Sequence, residues 1–265
     1  MNKLSVTRIP VLAVILLVLA VVAGPARAAT DPLINEFVFN HTGTDTHEFV
    51  EILGDQNTDY SAFTLLEIEG DGTGAGVIDG VFPVGATDAN GFWTTGFLSN
   101  EIENGTVTLL LVEGFSGSPG TDLDGNNDGT FDSAPWTRIV DDVAVTDGGA
   151  SDLTYSSVVL SPGFDGNPFT PGGASRIPNG TDTDTVGDWM RNDFHGAGLP
   201  GFTGTPEFGE ALNTPGAVNT LAVPPSVPVV TIMEIQGAGQ FSPYDGQVVE
   251  TSGVVTLFTA RGSSC

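Results

Sequence analysis

Leu33-Ile34-Asn35-Glu36-Phe37-Val38-Phe39-Asn40 and His47-Glu48-Phe49-Val50-Glu51-Ile52-Leu53 decide the fold. In both stretches apolar and polar residues alternate. A period of two sends alternate side chains to opposite faces of a strand. Thr, Gly and Asp fill the gap between them, so the pair predicts a β-hairpin. Working outward, Phe63–Glu69, Val77–Val84, Gly91–Leu98, Thr106–Glu113 and Ile139–Val145 read as further strands, the last interrupted by Asp141 and Asp142. Turn residues rich in Gly, Asp and Asn separate them, and no long stretch carries a helical period. The expectation is an all-β chain with an antiparallel sandwich over 29–220. Ser161–Val218 is richer in Pro and Gly and reads as long loops laid over that sandwich.

Composition agrees and narrows the function. With 36 glycines and 17 prolines in 265 residues, turns are frequent, yet the 40% hydrophobic content is enough for a core. Three of the seven basic residues, Lys3, Arg8 and Arg27, lie in the first 28 positions, where there are no acids. The rest of the chain holds four arginines, no lysine and all 33 acidic residues. Such a surface repels phosphate backbones and anionic membranes, which argues against direct nucleic-acid binding by the sandwich. It suits solubility, cation binding or a salty medium.

The first 28 residues form a basic start, an apolar run over Val11–Ala23, then Gly24-Pro25 and Ala26-Arg27-Ala28. This is the pattern of a secretory signal peptide cleaved after Ala28, which predicts a secreted or cell-surface protein with no membrane span after cleavage. The single cysteine, Cys265, leaves stability to burial, turn chemistry and metal rather than disulfides. The sequon-like triplets at Asn40, Asn104 and Asn179 read as turn residues. Residues 221–228 (Leu-Ala-Val-Pro-Pro-Ser-Val-Pro) predict an extended Pro-rich linker. Beyond it Val229–Ile235 and Gln247–Phe258 read as strands of a second unit over 229–265, too short to fold alone.

Three pieces resemble known families. The Asn35-Glu36 pair followed by Glu48-Phe49-Val50-Glu51 resembles the opening hairpin of bacterial lamin-tail domains, and Asn213-Thr214-Pro215-Gly216-Ala217-Val218-Asn219 resembles their closing segment. Asp132 to Val145 and Ala174 to Asp184 resemble the long insert-bearing version of exported proteins. Ile232–Gly239, Ser242–Gly246 and Val254-Val255-Thr256 resemble the start of the OB-fold module in large secreted bacterial nucleases. The resemblance implies an immunoglobulin-like sandwich of lamin-tail type followed by the first strands of an incomplete OB-fold. In that architecture the chemistry belongs to a later endonuclease/exonuclease/phosphatase domain. Gly262-Ser263-Ser264-Cys265 stands where those nucleases tend to read Gly-Phe-Phe-Leu-Gln. Loss of one base produces this ending, so the expectation is a frameshifted or misread longer gene, with a natural short chain as the alternative.

For this chain the expectation is therefore a non-catalytic module that positions or tethers a catalytic domain. The alternative is a stand-alone, Ca²⁺-stabilised interaction module with an extracellular ligand. Neither a Gly-x-Ser-x-Gly, nor a P-loop, nor a spaced Cys/His set occurs. His41 and His47 flank the hairpin turn and His195 follows Phe194; all three read as polar turn and loop residues. The strongest local chemistry is Asp122-Leu123-Asp124-Gly125-Asn126-Asn127-Asp128-Gly129-Thr130-Phe131-Asp132. It offers oxygen ligands at alternate positions, as Ca²⁺ requires, from Asp122, Asp124, Asn126, Asp128 and Asp132. Asn127 and Ser133 depart from the EF-hand pattern, and a solvated turn remains the other reading. Thr181–Asp184 with Asp188 is a weaker acidic run. Trp93, Trp136 and Trp189 read as core, and Arg176 and Arg191 as partners for nearby carboxylates.

Overall fold

The computed structural model describes residues 30–223 and 227–252. The signal segment, the centre of the predicted linker and the segment from residue 253 on, with Val254–Thr256 and Cys265, lie outside the described residues.

The hairpin forms as the alternation predicts. β1 (Leu33–Val38) pairs antiparallel with β2 (Phe49–Leu53). A bulge between Ile34 and Glu36 shifts the alternation by one residue, so Ile34, Phe37 and Phe39 all reach the main core with Val50 and Ile52. Five further strands follow: β3 (Phe63–Glu69), β4 (Ile78–Pro83), β5 (Phe92–Thr94), β6 (Val107–Glu113) and β7 (Arg138–Val145). β8 (Val159–Leu160), β9 (Gly173–Arg176) and β10 (Trp189–Arg191) complete two five-stranded sheets. One sheet runs β10-β9-β1-β2-β5 and the other β4-β3-β6-β7-β8. They face each other across a core that joins Phe37, Val50 and Ile52 to Leu65, Leu109, Leu111 and Val143. Each such side chain, fully buried, contributes about 1.5–3 kcal/mol.

The outer faces are also covered, which explains why β3 and β6 read as nearly continuous apolar runs. Leu66, Ile68, Leu110 and Val112 turn away from the main core and meet Leu123, Phe131, Trp136 and Tyr155. On the other sheet Val38 and Phe49 pack against Leu199 and Phe202. The molecule is thus two sheets with a layer of loop on each outer face.

Several expectations are corrected. β7 pairs with β8 in parallel, so the sheets are not wholly antiparallel. The strand expected over Gly91–Leu98 shortens to three residues, with Leu98 bridged singly to Glu48. Asp141 and Asp142 do not interrupt β7, because Asp141 is paired inside the protein. Ser161–Val218 supplies β9 and β10 as well as loops. Gly173-Ala174-Ser175-Arg176 has no large apolar residue, and its four positions are buried through backbone pairing with β1. Val229–Ile235 is not a strand: Ile232–Gln236 forms a short helix, α1. The reason is local, since Thr231 and Glu234 cap it reciprocally, each side chain accepting from the other's backbone N–H. Residues 247–252 hold only a single parallel bridge, Glu250 to Val229. Backbone ties run on to Ala222, whose N–H donates to the Glu210 carbonyl. Among the described residues no helix is long and apolar enough to cross a membrane.

Candidate functional site

Three groups of polar side chains stand out. The first is a clamp that joins the hairpin to the last part of the sandwich. Glu36 and Glu51 share the outer face of β1 and β2 with Val38 and Phe49, and both are fully buried. Glu36 Oε1 accepts from Asn192 Nδ2 at 2.8 Å and from the Thr214 N–H at 3.0 Å, and its Oε2 accepts from Thr214 Oγ1 at 3.0 Å. Glu51 accepts from Asn35 Nδ2 at 2.8 Å and from the Gly216 N–H at 2.6 Å. Asn35 also meets Asn179, and Asn219 Nδ2 donates to the carbonyls of Asn35 and Arg176. A carboxylate can accept from several donors at once, which offsets part of the cost of burying polar residues along this seam. Burial pushes Glu51 up to about 8, while Glu36, also raised by burial but held by donors from Thr214, Ser175 and Asn192, stops at about 7.

The second group is the acidic loop. Its oxygens are engaged by its own amides. Asp124 accepts from the N–H groups of Asp128 at 3.1 Å and Gly129 at 2.8 Å, and from the Tyr155 hydroxyl at 2.9 Å. Asp122 accepts from the Asp124 N–H, Asn126 and Asp128 accept from N–H groups two residues on, and Asp132 accepts from Gly125. Asn127 takes the left-handed φ of 51° that such a turn demands. Burial opposes ionisation of Asp124, yet these donors hold it below the usual carboxylate range. Leu123 and Phe131 anchor the loop on the outer face of the second sheet. Asp124→Ala is expected to lose about 1–2 kcal/mol, because it removes the acceptor of the Gly129 amide and of the half-buried Tyr155 hydroxyl, while the Asp128 amide keeps Asn126. Urea denaturation in EDTA measures it, and an unchanged midpoint would contradict the turn's structural role.

The third group was not visible in the sequence. The oxygens of Glu69, Asp71 and Glu103 lie within 4.8 Å of one another, and so do those of Asp71, Asp147 and Asp152. Among the described residues these are the groups of three acids, histidines or cysteines with a spacing a metal ion can bridge, and the loop's aspartates are in neither. Glu67 lies beneath them, 1% exposed, and its Oε1 accepts from the Glu103 N–H at 2.7 Å. Burial first, then Asp79, Glu103 and Glu48, push Glu67 up to about 8. The signal available was the pair of glutamates two apart in Phe63–Glu69, which alternation assigns to a solvent face.

The histidines are placed as turn residues. His41 Nε2 accepts from the N–H groups of Thr46 and His47, both at 3.2 Å, and both rings pack edge-on to Phe202. His195 lies 3.3 Å from Glu207 at the surface. Arg176 is 2.9 Å from Asp141 and Asp182, and Arg191 forks onto Asp165. Trp189 is buried, while Trp93 and Trp136 pack half-buried against the two cores. Phe169 and Phe194 are exposed and line a recess of about 580 Å³ with Arg191, Asn192 and Glu210. Comparison with family models, with curated proteins and with solved structures gives no match.

Proposed function

We propose that the chain is a secreted, non-catalytic module of lamin-tail type, with an immunoglobulin-like sandwich that positions or tethers a catalytic domain of an extracellular nuclease. One observation carries the reading. Asn35, Glu36, Glu51, Asn213, Thr214, Gly216 and Asn219, among the residues behind the lamin-tail resemblance, belong to one largely buried hydrogen-bonded clamp although they come from opposite ends of the 29–220 segment. A motif spread over that much chain has a common physical role, which is to close the module. The engaged state of His41 and the structural use of the Asp122–Asp132 loop support a scaffold rather than a reaction centre. Incubating the purified chain with plasmid DNA in Mg²⁺ and Ca²⁺ is expected to leave the DNA intact. Turnover that follows the chain through purification would overturn the reading.

A second reading, a stand-alone extracellular module stabilised by Ca²⁺, draws support from the carboxylate groups around Asp71. Hard oxygen donors of that number suit Ca²⁺ better than softer metals. In either case the partner is a domain or ligand outside the cell.

A further inference from the structure

The recess of about 580 Å³ opens between β10 and the segments around Phe169, Phe194 and Glu210. Its size is within the range of about 300–1,000 Å³ typical of ligand clefts. Two aromatic rings line it, Phe169 at 74% exposed and Phe194 at 44%. Two large apolar side chains on one hollow are a patch that a ligand can cover. Backbone bonds set their positions in advance. The Phe169 N–H donates to Asn167 Oδ1, its carbonyl accepts from Arg191 Nη2, and the Phe194 carbonyl accepts from the Thr42 N–H.

The same recess has one arginine against a surplus of acid. Arg191 forks onto Asp165 and spends Nη2 on the carbonyls of Asn167 and Phe169. Its ion pair is with Asp165 rather than with Glu210. Glu210 is 9% exposed, its Oε1 lies 3.4 Å from Asn167 Nδ2, and its Oε2 has no hydrogen-bond partner among the described residues. A buried carboxylate oxygen without a donor or cation is costly. Burial first, then Glu207, pushes this carboxyl up to about 7 even with Arg191 nearby. Glu207 is exposed and meets His195 at 3.3 Å. Asp193, whose oxygens take the Ala197 and Glu207 amides, adds further negative charge. The one lysine of the sequence is Lys3, so neither the sandwich nor a second copy of it supplies an ammonium.

We propose that this recess binds the lysine side chain of a partner polypeptide, with the ammonium at Glu210 and Glu207 and the methylene stem against Phe169 and Phe194. An ammonium brings three donors to oxygens that lack them. It is attracted to the faces of aromatic rings, and its four-carbon stem covers apolar surface. A neutral sugar would leave the surplus charge unanswered, and a bare divalent ion would leave the rings uncovered. The recess belongs to the sandwich itself, so the proposal stands whether the module leads a nuclease or acts alone.

Titrating the isotope-labelled chain with Nα-acetyl-lysine methylamide at pH 8, and following its amide resonances, tests this. The expected result is shifts at Phe169, Phe194 and Glu210 that saturate with a Kd of about a millimolar, as suits so small a ligand. Phe169→Ala weakens binding about three- to fivefold. Glu210→Gln weakens it at least about tenfold. Phe169 is exposed, so its variant keeps the test valid if Glu210→Gln fails to fold. The Nε-acetylated analogue, which lacks the charge, leaves the resonances in place. Equal binding of that analogue would overturn the proposal and make the recess a plain apolar hollow. Shifts spread over the acidic surface and unmoved by Phe169→Ala would also overturn it, as would no shift at about 10 mM ligand.

Discussion

Replacing Arg176 with methionine is expected to destabilise the protein by about 3–5 kcal/mol at pH 7, the cost of leaving buried acid without its cation. Arg176 stands on β9 in one sheet and is 2% exposed. Its Nη2 reaches both oxygens of Asp141 on β7 in the other sheet, at 2.9 and 3.0 Å. Its Nε donates to the Ile34 carbonyl at 2.7 Å, and its Nη1 to the Thr181 carbonyl and Asp182. The guanidinium lies 4.6 Å over the Trp189 ring. One side chain thus joins β1, β7, β10 and the 181–188 turn. Burial raises Asp141 to about 6 even with Arg176 beside it, so removal of the cation leaves that carboxyl to take up a proton or drag in water. Urea denaturation measures the loss, and adding Asp141→Asn to the Arg176 variant is expected to recover part of it. A loss under about 1 kcal/mol would class the pair with solvated surface ion pairs and contradict this account.

The second large effect is on pH. Glu51 and Glu67 titrate at about 8 in the folded protein and Glu36 at about 7, against an ordinary 4.5, because burial disfavours their charge. The folded state therefore holds protons that the unfolded chain has released. Between pH 4.5 and 8 that difference makes stability fall as pH rises. The contribution is full below 4.5 and is lost as pH rises through 7 to 8, about 3–5 kcal/mol for one buried carboxyl. Asp165 and Asp188 act in the opposite sense. Although burial works against them, hydrogen bonds and an arginine hold them below 3.8, and their contribution is lost only in more acid solution. Melting is expected to be highest near pH 5 and clearly lower at about pH 8.5. Repulsion across the acidic surface adds to the same slope. Glu67→Gln isolates the buried group, because it removes the titrating carboxyl and so flattens the profile. A melting temperature equal or higher at about pH 8.5 would contradict the buried, protonated carboxyls.

The hairpin and the four longer strands β3, β4, β6 and β7 were legible because their side chains alternate or run apolar over five or more residues, and burial enforces that pattern. β9 was not, since Gly173-Ala174-Ser175-Arg176 is buried by backbone pairing and by the arginine's ion pair, neither of which leaves an apolar signature. α1 was hidden by isoleucines that suit a strand, although Thr231 and Glu234 carried the capping signal. The acidic loop drew notice because its oxygens are adjacent in sequence, and that adjacency lets its own amides satisfy them. The edge around Glu67 passed unread for the opposite reason. Glu67, Asp79 and Glu103 come from three segments, and only the pairing of β3 with β4 and the folding of the 100–104 loop bring them together. The clamp was half legible: its residues carried the lamin-tail resemblance, but their joint role in closing the module needed coordinates.

The measurement that bears most directly on the proposed role is the DNA sequence beyond codon 250, read together with the secreted product. The account predicts that the gene encodes a hydrolase-type domain in the same product as the sandwich. A verified stop with no such domain behind it would contradict placement at the head of a nuclease, and would leave an extracellular binding module as the function.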